Sequence, residues 1–238
     1  MTSTRAISTK SLFALWALMT LCLSATAQSN YYKLGIGGGY GFTQAFTDLL
    51  DQDFSKAIYG QAEFFFSPFV SIGAEIQQGK IKSGNSSDDP LARAFVNDYT
   101  LTGLNAKLYL GAVTDHRSGR LLDALKWLYL GSGAAIIRNK ISHKNELEDD
   151  IYLGKSKSRE LVLPLNLGFS YYFNDRAGMP RLGINANIQV NFSLGEGLDG
   201  YDRSNVTFKE DVPDRYHFYS AGLRYLFGPT GLSKRSLN

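Results

Sequence analysis

Residues 182–194 read LGINANIQVNFSL. Leu182, Ile184, Ala186, Ile188, Val190, Phe192 and Leu194 fall on one side of a period-2 pattern, and Gly183, Asn185, Asn187, Gln189, Asn191 and Ser193 fall on the other. Successive side chains of a strand point to opposite faces, so this stretch reads as one strand with a wholly apolar face and a face of small or amide-bearing residues. Its length is as informative as its alternation. Globular strands usually run to about 5–6 residues, whereas a tilted strand needs about 9–11 to cross a bilayer.

Working outward, the preceding run repeats the pattern, with Leu161, Leu163, Leu165, Leu167, Phe169, Tyr171 and Phe173 against Pro164, Asn166, Gly168 and Ser170. Eight such segments are legible, at about 31–43, 57–67, 69–79, 99–111, 127–138, 160–173, 181–194 and 215–227. Short links (Ser67-Pro68 and Asn174–Pro180) alternate with long polar ones (80–98, 139–159 and 195–214). Bacterial membrane barrels alternate in this way between their periplasmic and outer ends. The link 112–126 departs from the alternation, and Leu121, Leu122, Leu125 and Leu128 predict a short amphipathic helix there. The link 44–56 is expected to carry a helical turn through Phe46, Leu49 and Leu50.

The N-terminus sets the compartment. Arg5 and Lys10 precede an apolar run from Leu12 to Leu23, and Ala25-Thr26-Ala27 offers small residues where a signal peptidase reads. This is the pattern of a secretory signal, too short for a spanning helix. Cleavage is expected after Ala27, which makes 1–27 a signal peptide, 28–228 the barrel and 229–238 a short periplasmic tail carrying Lys234 and Arg235. The single cysteine, Cys22, lies within the signal behind Leu21, which is not the small residue that a lipid-attachment site requires. The mature chain then has no disulfide to lean on. Its charge is close to neutral once Arg5 and Lys10 are gone, which gives no electrostatic footprint for nucleic acid. No later segment reaches the roughly 18 apolar residues of a membrane helix.

Alternation does not say which face points out, since a soluble lipocalin-like carrier alternates with its apolar face inside. Three features favour a membrane barrel. First, aromatic residues cluster at strand ends. Phe64, Phe66, Phe69, Trp127, Tyr171 and Phe173 are expected to form a girdle at one end, with Tyr129, Tyr225 and Phe227 nearby, and Tyr40, Phe42, Tyr99 and Phe192 a belt at the other. Second, Glu63, Glu75, Lys107 and Arg224 share the polar parity in mid-strand and are expected to pair inside a narrow lumen. Eight strands leave room only for side chains to fill, and an unpaired charge there is costly. Gly35, Gly37, Gly39 and Gly41 fall on the same inward parity. Third, the last strand reads SAGLRYLF over 220–227.

That ending, with Ser220, Gly222, Tyr225 and Phe227 at its constrained positions, resembles the C-terminal signal of outer-membrane barrels, although the chain runs on to Asn238. The resemblance implies recognition by the barrel-assembly machinery. Over most of the mature chain the pattern resembles the small outer-membrane β-barrel domain proteins of Gram-negative bacteria, including the OmpA-type and PorT-like barrels. What this implies is a closed eight-stranded antiparallel transmembrane β-barrel in the outer membrane, and little about activity.

Candidate chemistry is sparse. His217 and Ser220 are three residues apart, hence on opposite faces of a strand, unlike the two-residue spacing of the lipid A deacylase family. His116 and His143 lie in links. The acidic stretches Glu146-Leu147-Glu148-Asp149-Asp150 and Asp88-Asp89 match no calcium-loop spacing and read as solvated loops. No catalytic set, metal site or cofactor is expected. The expectation is a non-enzymatic anchor, scaffold or accessory subunit of an outer-membrane complex, in contact with outer-membrane lipid and with other outer-membrane or periplasmic proteins. The alternatives are a small-solute pore, a lipid-modifying barrel enzyme and a soluble lipocalin-like carrier.

Overall fold

Each alternating run forms a strand: β1 (Ser29–Phe46), β2 (Gln52–Ser67), β3 (Val70–Ser83), β4 (Phe95–Tyr109), β5 (Leu128–His143), β6 (Lys157–Asn174), β7 (Pro180–Ser193) and β8 (Arg215–Ser233). The computed structural model describes residues 29–46, 52–83, 95–114, 119–143, 156–195, 198 and 214–233. Every strand pairs antiparallel with its neighbours in sequence, and β8 returns to β1, closing an eight-stranded barrel. The proposed signal peptide (1–27), the acidic stretches 88–89 and 146–150, His116 and the last residues 234–238 lie outside the described residues.

The apolar parity faces outward. Ile36, Ile58, Ile76, Leu104, Leu165 and Ile188 are among the large hydrophobic residues exposed on the outer wall. The polar parity faces inward, where Gln61, Glu63, Asn105, Asn185 and Gln189 are buried. A soluble carrier needs the reverse arrangement. Among the described residues no helix is long and apolar enough to cross a membrane.

The strands outrun their sequence limits, mostly at the end where the long links emerge, here called the loop end. There β3 reaches Ser83, β5 reaches His143, and β4 and β6 begin at Phe95 and Lys157. The outward face turns polar at these ends while Ile81, Phe95 and Ile141 stay buried inside, so pairing continues where the apolar outer row stops, as in the Lys80–Asp98 ion pair at 2.8 Å between β3 and β4. The helical turn expected over 44–56 is not present in the described part. Phe46 belongs to β1 and residues 52–56 belong to β2, because the ladder between these strands runs to Gln44 and Phe54.

The tail needs a similar correction. Residues 229–233 are not a free tail but the end of β8, pairing with Ser29–Tyr32 after a register shift at Tyr32/Leu34. Gly228 has φ of 84° at this point, a left-handed conformation that glycine adopts without strain. The helix expected in the 112–126 link exists as α1 (Arg120–Leu125), preceded by a 3-10 turn at Leu110–Ala112. None of its residues is fully buried and Leu121 is exposed, so the helix is only weakly amphipathic in its packing.

The β1–β8 seam depends on glycine. A Cβ at Gly39 would collide with the backbone of Ala221 and Gly222 on β8, whereas one at the outward-facing Gly60 would meet nothing nearer than Ile76 Cγ2 at 3.6 Å. Gly39→Val is therefore expected to destabilise the barrel by about 1–3 kcal/mol, and Gly60→Ala to be near neutral. The urea midpoint of the micelle-refolded protein, followed by the gel shift between boiled and unboiled samples, measures both.

Candidate functional site

The lumen is a stack of three layers. In the middle, β2, β4 and β8 each aim one long charged side chain inward. Glu63 takes Lys107 Nζ at 2.9 Å on one carboxylate oxygen and Arg224 Nε at 2.8 Å on the other. The side chains of Arg224, Glu63 and Lys107 are 0%, 1% and 3% exposed, so this level is closed to bulk solvent. Neutral partners add to the shell, while Arg224 Nη2 and Gln61 Nε2 are buried without a hydrogen-bond partner among the described residues. Arg224 Nη1 donates to the hydroxyls of Tyr109 and Tyr172, each at 2.7 Å, and to Ser170 at 3.2 Å. Lys107 Nζ also donates to Gln61 Oε1 at 2.8 Å and lies 5.2 Å from the centroid of the Tyr129 ring. Glu75, buried just toward the loop end, accepts from Gln77 at 2.6 Å and from Asn105 at 3.0 Å. All four charged residues singled out by parity thus lie inside, with Glu63 as the shared partner of both bases and Glu75 held by amides.

Below them, at the end of the short links (the turn end), an aromatic layer closes the lumen. Phe65, Phe69, Tyr109, Trp127, Tyr129 and Tyr172 are buried together. Trp127 packs on Tyr172 at 4.7 Å and on Phe69 at 5.2 Å between centroids, and Tyr109 packs on Tyr129 at 5.1 Å. Above the charges, Leu101, Ile137, Tyr99, Tyr216 and Phe218 form an apolar layer toward the loop end. Tyr99 and Tyr216 lie 5.4 Å apart, and both hydroxyls point to Gln77 Oε1.

This layering corrects the expected girdle. Phe64, Phe66, Tyr171 and Phe173 do face outward, in edge-to-face pairs 5.2 Å apart. Phe69 and Trp127 do not; they belong to the buried layer that closes the lumen. Both precede their strands in turns, where pleat parity does not hold and the ring can swing into the lumen. Tyr99, expected in the opposite belt, is also buried inside because it shares the inward parity of Leu101 and Lys107. Of the last-strand motif, Ser220 and Gly222 share the inward parity of Arg224, while Tyr225 and Phe227 share the outward parity of Leu223. Sequence reading also passed over the neutral partners Gln61, Gln77, Asn105, Ser170 and Tyr172. Their inward parity was the signal available.

The turn end carries a second polar cluster. In the β6–β7 turn, Asp175 accepts from the Tyr32 hydroxyl at 2.8 Å and from the backbone N–H groups of Ala177 and Met179 at 2.9 and 3.1 Å. Arg181 donates to Tyr225 at 2.9 Å and lies 3.6 Å from Asp175. The Tyr32 hydroxyl, with help from the two N–H groups and Arg181, holds the Asp175 carboxyl below the usual carboxylate range. His217 contacts the Tyr219 hydroxyl at 3.1 Å on the outer wall. Ser220 pairs with the inward-facing Gly41, so it does not share a face with His217. Among the described residues no group of three or more His, Cys, Asp and Glu could hold a metal ion.

Comparison with known proteins places residues 13–227 within the model of a family described as outer membrane protein beta-barrel domain. Among solved structures the chain is similar to Neisserial surface protein A, with 14% identity, 82% of this chain and 97% of that chain covered and a TM-score of 0.47. It is similar to Ail, the attachment invasion locus protein of Yersinia pestis, with 11% identity, coverage of 83% and 99% and a TM-score of 0.47. The N-terminal β-barrel domain of Pseudomonas aeruginosa OprF gives 12% identity, coverage of 83% and 100% and a TM-score of 0.43. No curated protein matches the sequence.

Glu63→Ala strands two buried cations and is expected to cost about 3–5 kcal/mol. Asp98→Ala, which breaks the exposed pair with Lys80, is expected to cost about 0–1 kcal/mol. Urea unfolding in micelles separates the two. Asp175 yields a pH prediction. Its folded pKa is depressed, so its contribution is complete above about pH 4 and is lost as pH falls through the lower folded value. Protection of the Ala177 and Met179 N–H groups from hydrogen exchange, relative to the intrinsic rate at each pH, is expected to fall in that acid window, and in Asp175→Asn to be reduced already at neutral pH.

Proposed function

The chain belongs to the outer membrane protein β-barrel domain family and resides in the outer membrane, and from that premise we propose that it is a sealed, non-enzymatic barrel serving as anchor and scaffold, an accessory subunit of an outer-membrane complex. The burial of Glu63, Lys107 and Arg224 carries this reading. A solute pathway would have to pass that level, and there the side chains leave no surface for water. The aromatic layer beneath and the apolar layer above add two further barriers. With the lumen filled, contact surface is left on the outer wall, on the long connections 84–94, 144–156 and 194–214, and on the turn-end link that carries α1. Residues on loops held by a rigid scaffold are where binding functions concentrate.

The turn end is the periplasmic end in this reading, because bacterial barrels keep their short turns there. Ser220, Gly222, Tyr225 and Phe227 then serve as the barrel-assembly signal near the periplasmic end of the closing strand. The outward rings of Phe64, Phe66, Tyr171 and Phe173 serve as the periplasmic-side girdle, with Tyr40 and Phe42 on the outer side.

The test is co-purification of the tagged protein from gently solubilised outer membranes, with mass spectrometry of what comes with it. A stoichiometric partner is expected. It is expected to be lost when 144–156 and 194–214 are replaced by short Gly-Ser turns, in a variant whose unboiled gel shift shows a folded barrel. Recovery of the barrel alone, both in mild detergent and after cross-linking in intact membranes, contradicts the reading.

A further inference from the structure

The outer wall is not uniform around the barrel. On β2 to β6 the outward apolar rows give way, toward the loop end, to basic side chains: Lys56, Lys80, Arg138, Lys140, Lys157 and Arg159. Lys82 lies one row further out. Cross-strand register places Arg138 directly opposite Arg159, and Lys140 directly opposite Lys157. Like charges directly opposite each other on neighbouring strands repel. Among the described residues the nearby carboxylates are Asp98, already 2.8 Å from Lys80, and Asp53, opposite Lys82. Among the described residues positive charge is therefore in excess on this wall, and it surrounds a cavity of about 770 Å³ lined by Lys56, Lys80, Arg138 and Lys140, with Asp98 as its one carboxylate. Toward the loop end the opposite wall presents Tyr40, Phe42, Tyr219 and Phe192, with Arg215, opposite Phe192, as a single basic residue against the six of β2 to β6.

Beneath the basic rows, on β2 to β5, the same wall is hollowed. Ala62, Ala74, Ala106 and Ala134 line a groove of about 660 Å³ between the larger Phe64, Ile72 and Leu104. From Ala74 to Gln78, which lines the basic cavity, is four residues, or about 13 Å along the strand. A basic cavity above an apolar groove on one lipid-facing wall is complementary to a molecule that is anionic at one end and apolar at the other.

We propose that this wall is a binding site for one phosphorylated, acylated lipid of the outer leaflet. Its phosphates lie among Lys56, Lys80, Arg138 and Lys140, and an acyl chain runs down past Ile76 into the alanine groove. The phosphates relieve the repulsion between the facing cations, and the groove distinguishes the lipid from a soluble polyanion. The site is independent of the scaffold role, and rests on the barrel sitting in the outer membrane with its short turns on the periplasmic side.

The test is native mass spectrometry of the full-length protein in detergent, titrated with a bis-phosphorylated, multiply acylated glucosamine disaccharide. Its dephosphorylated form and inositol hexaphosphate, a soluble polyanion, are the comparison probes. Each Lys or Arg near an anionic surface contributes about 1 kcal/mol, so Lys80→Gln, Arg138→Gln and Lys140→Gln together are expected to weaken lipid binding about a hundredfold. Arg176→Gln, an exposed charge at the other end of the barrel, is expected to change nothing. Ala74→Leu with Ala106→Leu, folded by unboiled gel shift, is expected to weaken lipid binding while leaving that of inositol hexaphosphate unchanged. Equal affinity for the dephosphorylated lipid, full affinity in the triple variant, or inositol hexaphosphate binding as tightly as the lipid each overturns the proposal.

Discussion

Closure of the sheet is the constraint on which the rest depends. In a hydrocarbon layer no water is available to satisfy backbone N–H and C=O groups, and each one left unpaired costs several kcal/mol. The antiparallel ladder runs through all eight strands and returns from β8 to β1, so no edge is exposed to lipid. Once the wall is closed, the outward face can be wholly apolar and the lumen can be polar. The long alternating runs follow from that division.

Closure with only eight strands creates a second problem, which the lumen solves. The interior is narrow, so bulky residues on one strand need small ones opposite. β1 supplies glycines at 35, 37, 39 and 41, where added Cβ atoms would meet β2 or β8. Glu63, Lys107 and Arg224 then occupy the middle, and their burial is tolerable because one carboxylate is shared by two bases and tyrosine, serine and glutamine groups take further hydrogen bonds from them. A buried ion cluster of this kind need not add net stability, but removing the shared carboxylate of Glu63 leaves two buried cations without their counter-charge. The same packing that makes the charges tolerable excludes water, which ties the fold to the scaffold reading.

Much of this was legible in the sequence wherever parity holds. The eight strands, their order, the outward Ile and Leu rows and the inward placement of Glu63, Glu75, Lys107 and Arg224 all follow from alternation. It failed where the pleat stops or where the outward face turns polar. Phe69 and Trp127 sit in turns, so proximity to a strand end suggested a girdle while packing drew them into the lumen. Tyr99 was assigned by its ring, although its parity with Leu101 pointed inward. The loop-end extensions of β3 to β6 were hidden because Lys80, Asp98, Lys140 and Lys157 are polar on a face that is apolar lower down. The barrel was expected to end at 228, yet Gly228 absorbs an irregularity and pairing resumes to Ser233. The basic rows on β2 to β6 were invisible to a whole-chain charge near neutrality, because register, not composition, gathers them on one wall.

The central claim is that the lumen is sealed at the Glu63–Lys107–Arg224 level. Single-channel recording of the purified protein in planar bilayers tests it most directly. The account predicts a quiet baseline at moderate voltage. It also predicts that conductance steps arise only when the seal is opened, as in a folded variant carrying Glu63→Gly, Lys107→Gly and Arg224→Gly together with Trp127→Ala. Sustained, uniform conductance steps from the unaltered protein would contradict the account and make this barrel a pore.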